Sequence, residues 1–208
     1  MLIGGETVGE GILSEVTNPY DGSVIDTIIE ATPEHVDAAV TAAQAALRPM
    51  AGLTAYERGE LLYAAYGTLA EQAEQFATTI CQEVGKTIRE ATSEVGRALE
   101  VLRLSAEEAR RFAGDQLPLD AAPNGAGKIG FSMRIPAGVV AAIVPFNFPL
   151  VLAAHKLGPA LAAGNSVVLK PAPATPLTAL LFADVLQEIG LPPGVVNIVT
   201  GGDEAGKA

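Results

Sequence analysis

Two regimes of apolar spacing divide the chain. Between residues 32 and 112, apolar residues recur every three or four positions against a polar background, the pattern of amphipathic helices. Beyond Gly138 they gather into short continuous runs separated by Ala- and Leu-rich stretches, the pattern of buried strands alternating with helices.

The first regime predicts four helices. Thr32-Pro33-Glu34 opens one that runs through Val36, Val40 and Ala43 to about Leu47. Residues 54–69 and 71–84 form two more, the second stopped by Gly85. The fourth, 87–112, sets Ile88, Ala91, Val95, Leu99 and Leu102 along one face. Residues 1–29 read as turns and short strands around the cluster Asn18-Pro19-Tyr20-Asp21-Gly22. Residues 114–130 are rich in Pro, Gly, Asp and Asn, as in an exposed connection, and 131–135 alternate like a half-buried antiparallel strand.

The second regime predicts strand–helix–strand–helix–strand. The apolar run at 139–144, bounded by Gly138 and Pro145, reads as a strand buried on both faces. A loop, Pro145-Phe146-Asn147-Phe148, leads to Pro149 at the first turn of a helix that continues to about Ala163 and stops at Gly164-Asn165. Residues 166–169 form a second strand ending in Lys170-Pro171-Ala172-Pro173. Thr175-Pro176 then supplies an N-cap and first-turn pair for a helix through Leu177, Leu180, Leu181, Val185 and Ile189 to Gly190. Residues 195–199 form the third strand, followed by Thr200-Gly201-Gly202. Short loops in this order imply a doubly wound α/β unit with a parallel sheet, whose ligands collect beyond the carboxyl ends of the strands. Asn147 and Lys170 lie at those ends.

Composition narrows the class. The 208 residues can bury a sizeable core, and 49% hydrophobic with 18% charged residues fits an ordinary soluble globular protein. Thirteen Lys and Arg against 24 Asp and Glu give a net charge of −11, which repels phosphate backbones and argues against nucleic-acid binding. The acidity suits either a salt-adapted source or an ordinary acidic enzyme. No apolar run reaches the roughly 20 residues that span a bilayer, and no signal peptide is evident, so no membrane association is expected. A single cysteine excludes an internal disulfide framework, and a cytoplasmic location is expected. No metal site is assigned.

An asparagine amide donates hydrogen bonds without titrating, so Asn147 suits stabilisation of an oxyanion. Position alone leaves equal room for a loop Asn that satisfies local backbone groups. Lys170, a cation at a strand's carboxyl end, suits a ribose hydroxyl or a phosphate, although most lysines are simply solvated.

Four blocks of the second regime resemble the aldehyde dehydrogenase superfamily. They are Val144-Pro145-Phe146-Asn147-Phe148-Pro149-Leu150, His155-Lys156-Leu157-Gly158-Pro159-Ala160-Leu161, Gly164-Asn165-Ser166-Val167-Val168-Leu169-Lys170-Pro171 and Gly194-Val195-Val196-Asn197-Ile198-Val199. Weaker similarity extends to the helical half, as in Gly85-Lys86-Thr87-Ile88-Arg89-Glu90-Ala91. The resemblance implies a Rossmann-like fold of aldehyde dehydrogenase type, incomplete at its C-terminus. Residues 1–114 would be the N-terminal strands and helices of the cofactor domain, 115–137 a connection and oligomerisation strand, and 138–208 its βαβαβ part.

The implied activity is oxidation of an aldehyde to a carboxylic acid with NADP or NAD. In the family a cysteine thiolate attacks the aldehyde, and the position of Asn147 binds the resulting oxyanion. Lys156 matches a family lysine near the active site, and the resemblance places it with Asn147 among the catalytic residues. The resemblance assigns Val144, Pro145, Phe146 and Asn147 to the cofactor, together with Lys170 at the adenosine ribose, Ala172 and Pro173. Gly202 and Gly206 fall on a cofactor-contacting loop. Many NAD-using relatives carry a glutamate at the position of Pro173, so its absence here points to acceptance of NADP. The nucleophilic cysteine and general-base glutamate of the family have no counterparts in these residues. The chain therefore reads as an N-terminal fragment, inactive alone, of an enzyme that forms a homo-oligomer, dimer or tetramer.

Several features read as decoys. Cys81 flanks the apolar face marked by Phe76, Ile80 and Val84, and reads as a small core residue. His155, on an Ala- and Leu-rich helix, reads as a satisfied core or interface residue rather than a ligand. Gly125-Ala126-Gly127-Lys128-Ile129-Gly130 fits the dinucleotide fingerprint by spelling alone, because no strand precedes it and no helix follows. Gly85-Lys86-Thr87 echoes the end of a phosphate loop, but position 80 is Ile where that motif requires glycine. Two alternatives stay open: a stand-alone nucleotide-binding or interaction module, and a relative that delivers the acyl group to coenzyme A.

Overall fold

The computed structural model describes residues 1–208. The chain starts with β1 (Leu2–Ile3) and β2 (Glu6–Thr7), followed by a hairpin of β3 (Ile12–Thr17) and β4 (Val24–Glu30). The hairpin turn is held by its own polar side chains: Asn18 accepts from Tyr20 N at 2.9 Å and Asp21 from Ser23 N at 3.0 Å.

Four helices follow: α1 (Pro33–Gly52), α2 (Ala55–Glu71), α3 (Ala73–Val84) and α4 (Ile88–Ala109). Thr54 and Thr87 open α2 and α4 with reciprocal capping boxes to Glu57 and Glu90. Helix α1 continues past Leu47 because Met50, fully buried, prolongs its core-facing stripe. On α4 the buried stripe is Ala91, Glu94, Val95, Ala98 and Leu102, whereas Ile88 in the first turn is exposed, contrary to expectation.

A short ribbon of β5 (Gln116–Leu117) and β6 (Gly130–Phe131) flanks a 3₁₀ turn at Leu119–Ala121. The half-buried strand expected at 131–135 is not there. Only Phe131 pairs; it is 68% exposed on the ribbon, and Ile135 beyond the ribbon is 81% exposed.

The sheet is built by β7 (Val139–Ile143), α5 (Pro149–Ala162), β8 (Ser166–Lys170), α6 (Leu177–Glu188), β9 (Val196–Ile198) and α7 (Asp203–Lys207). Its order is β2-β1-β9-β8-β7, with β7–β8 and β8–β9 parallel and β1 antiparallel to β9. Alternate residues of β8 enter two cores. Val167 and Leu169 join the cluster of Leu150, Leu157 and Phe182, while Val168 joins Ala39, Ala43 and Val199. Thus α5 and α6 cover one face and α1 the other. Asn165 ties the layers locally, accepting from Gly138 N at 2.9 Å and donating to Ala160 O at 3.1 Å.

Strand β7 departs from its predicted burial. It is the edge strand, so Ala142 is buried but Ile143 is 59% exposed. Helix α5 also packs closely on α4, where a Cβ at Gly158 would come within 2.5 Å of Ser105 Oγ. No helix is long and apolar enough to cross a membrane.

Candidate functional site: the carboxyl rim of the parallel strands

Register brings the strand ends together. Ile143 is aligned with Lys170 and Leu169 with Ile198, so the loops after β7, β8 and β9 rise from one rim. Val144 N donates to Lys170 O at 3.1 Å, fixing the start of the first loop, and the Val144 side chain is buried. Pro145, Phe146 and Asn147 are exposed above it. The Asn147 amide makes no hydrogen bond within the chain, which leaves its donors free for a ligand.

The next element is capped from outside. Pro149 has no N–H to satisfy, and the following two amides, Leu150 and Val151, both donate to Glu94 Oε1, at 3.0 and 3.3 Å. Leu152 N reaches Phe148 O at 3.1 Å, so the first turn of α5 has no orphan donor. Glu94, fully buried on α4, is paired with Lys86 Nζ at 2.6 Å. That ammonium also lies 3.7 Å from the centre of the Phe148 ring, with the Arg97 guanidinium at 4.7 Å.

Helix α6 is closed in the same manner. Thr175, the expected N-cap, is buried with its Oγ1 unpartnered, because Pro176 already has helical dihedrals and takes the cap position. Glu83 at the end of α3 replaces it, accepting from Leu177 N at 2.8 Å, Thr178 N at 3.0 Å and the Thr178 hydroxyl. Burial pushes the Glu83 carboxyl up to about 7, against the pull of these donors and with a further push from Glu94.

At the end of β8, Lys170 Nζ donates to Pro171 O at 3.3 Å. Burial lowers the ammonium pKa, while Asp203 works in the opposite direction. Gly206 faces the lysine stem, since a Cβ there would lie 3.4 Å from Lys170 Cε. Ala172 is half-buried, Pro173 exposed, and Gly202 precedes α7.

The rim therefore collects the loop of Val144, Pro145, Phe146 and Asn147 with Lys170, Ala172, Pro173, Gly202 and Gly206. Lys156 stands apart. It is exposed on α5, seven residues beyond Pro149 and about 10 Å further along the axis, without a hydrogen bond or ion pair. Cys81 packs half-buried against the core, and the 125–130 glycines lead into β6 rather than a helix. A concavity of about 490 Å³ opens instead at the amino ends of the strands, beside Arg58, Arg134 and Asn165. There the Arg58 donors go to Ala162 O and Leu53 O, and Arg134 Nε to Ala113 O, which are structural bonds.

Glu83, Lys86 and Glu94 were not singled out as site residues by the sequence. The signal for Glu94 was present: it falls on the apolar stripe between Ala91 and Ala98, where a lone carboxylate needs a buried partner.

Comparisons with known proteins fit this geometry. The family model described as "Aldehyde dehydrogenase family" matches residues 9–208. A 3-sulfolactaldehyde dehydrogenase of Priestia aryabhattai is 46% identical over 203 residues, covering 97% of this chain and 42% of the relative. The crystal structure of an NADP-dependent enzyme of E. coli superposes with a TM-score of 0.93 at 37% identity, covering 98% of this chain and 42% of that one. Aldehyde dehydrogenase 21 of Physcomitrella patens, solved with its reaction product succinate, gives 0.95 at 37% identity, covering 99% and 43%. The chain thus spans about 42% of the length of the curated relative it matches. By the match over residues 9–208 and by the superposition over 99% of its length, the chain belongs to the aldehyde dehydrogenase family.

Proposed function

We propose that this chain supplies the cofactor rim and one oxyanion donor of an enzyme that oxidises an aldehyde to a carboxylic acid with NAD or NADP. The observation that carries this reading is the Asn147 amide: exposed, unpartnered, and mounted on a loop anchored at both ends. A family nucleophile would come from polypeptide outside these residues. When it attacks the aldehyde, Asn147 is placed to donate to the oxygen on which negative charge develops. Succinate as the product of the Physcomitrella relative supports an acid as the outcome.

The rim fits a dinucleotide. Lys170 offers a partly desolvated ammonium, Gly206 leaves room beside its stem, and Pro145 and Pro173 are open apolar surfaces. Bound NAD(P) would supply the hydride acceptor. Because Glu94 and Glu83 already occupy the N-termini of α5 and α6, neither helix has its first-turn donors free for the diphosphate. Lys170 binds ribose hydroxyls or a 2′-phosphate, and no carboxylate at 173 repels the latter, so NADP is accepted.

The reading extends to a cytoplasmic homo-oligomer that does not bind nucleic acid, in keeping with one cysteine and a net charge of −11. Residues 115–137, with Phe131 exposed on their ribbon and Ile135 exposed just beyond it, form the association element between 1–114 and 138–208. The Lys156 side chain is assigned to the active-site periphery.

The test is to assay the full-length polypeptide with NAD or NADP against plain, hydroxylated, carboxylated and sulfonated aldehydes. Reduced nicotinamide and the matching acid should form in equal amounts. A folded, nucleotide-binding protein that forms neither with any of them would contradict the proposal.

A further inference from the structure

In the sequence, Gly85-Lys86-Thr87 reads as a helix stop, a spurious phosphate-loop echo and part of the weaker family resemblance, with no role given to Lys86 itself. In the structure this lysine acts at the rim. Gly85 ends α3 at φ +75, where a side chain would also strike Pro19 at 2.8 Å, and Thr87 caps α4, so Lys86 is held on both sides. Its ammonium contacts two groups at once: Glu94 Oε2 at 2.6 Å and the Phe148 ring at 3.7 Å.

We infer that Lys86 and Glu94 are positioning residues that hold the Asn147 amide in place, Lys86 through Phe148 and Glu94 through the first amides of α5. The inference rests on the oxyanion role proposed for Asn147. Pro145 and Pro149 restrict the loop on either side of the amide, but its distal end has no cap of its own. Phe148 is the cap residue, at φ −145 and ψ 69, without a side-chain hydrogen bond. What fixes that end comes from α4 and the junction before it: two hydrogen bonds to Glu94 and two cations at 3.7 and 4.7 Å over the ring. Asn147 is the residue next to that ring. Release of Lys86 frees both Phe148 and the carboxylate that closes α5, and a displacement of about 1 Å at a reacting group costs on the order of a hundredfold in rate.

A merely structural role would change how much protein folds, and its effect would not depend on Asn147. The experiment is a double-mutant cycle in the full-length enzyme: wild type, Lys86→Met, Asn147→Ala and the double variant, each at saturating aldehyde and cofactor. Lys86→Met should lower kcat by on the order of ten- to a hundredfold with the cofactor KM unchanged, and Lys86→Arg should recover part of it. In the Asn147→Ala background the same substitution should have little further effect. Phe148→Leu gives a second route, with the same dependence on Asn147, should Lys86→Met fold poorly. Equal losses in both backgrounds, or an unchanged kcat, overturn the inference alone. An inactive wild type, or Asn147→Ala as active as wild type, overturns the functional reading and this inference with it.

Discussion

The Glu83 carboxylate closes helix α6 by accepting from the backbone of Thr178 at 3.0 Å, across 95 residues of sequence. Helix α3 thereby fixes where α6 begins, and with it the loop that carries Lys170, Ala172 and Pro173. Glu94 does the same for α5. Two buried acids from the helical half of the chain thus fix the first turns of the helices that follow β7 and β8.

Removing Glu83 should therefore cost more than an ordinary cap. Glu83→Ala leaves the amides of Leu177 and Thr178 and the Thr178 hydroxyl without their acceptor, for a loss of about 2–4 kcal/mol. Glu83→Gln keeps an acceptor and should cost less. Urea denaturation of the full-length protein and both variants checks the order.

The same residue predicts a pH dependence. Burial raises the Glu83 pKa from 4.5 to about 7, so the folded state holds a proton that the unfolded chain releases. This contribution to stability is fully present below pH 4.5 and is lost as pH rises through about 7. Glu83→Gln should flatten that decline, as read from denaturation midpoints across the interval. A decline of the same slope in the variant would assign it to other groups.

The strands at 139–143, 166–170 and 196–198 were legible because Gly and Pro bracket continuous apolar runs, and the rim followed from their parallel order. Capping residues Thr54 and Thr87 marked two helix starts in the same direct way. Other features had no local trace. The pairing of Leu2 with Ile198 joins segments too short for periodicity, and the exposed edge of β7 depends on what lies beside it rather than on its own residues. Thr175 has the chemistry of a cap, yet a glutamate remote in sequence takes the role. Asn147 and Lys170 could be placed from strand ends, whereas Lys156 rested on resemblance alone.

Cofactor choice should respond to one position. A carboxylate at 173 would compete with a 2′-phosphate for Lys170 and repel it, an effect of about 1 kcal/mol or more at contact distance. Pro173→Glu should lower the NADP-to-NAD ratio of kcat/KM by about fivefold or more. An unchanged ratio would remove Pro173 from the specificity determinants.

Association should depend on the exposed ribbon. Phe131 on the ribbon and Ile135 just beyond it are 68% and 81% exposed. Replacing both by Ser in the full-length protein should shift it toward smaller species in sedimentation velocity, with the nucleotide dissociation constant unchanged. An unaltered sedimentation profile would place the contacts elsewhere.

The central claim is that a single uncharged amide on the loop after β7 carries part of the transition-state charge. Single-turnover rates of full-length wild type and Asn147→Ala, with cofactor prebound, measure it most directly. The account predicts a rate lower by about a hundred- to a thousandfold in the variant, with cofactor affinity preserved. A variant that turns over at the wild-type rate would contradict it.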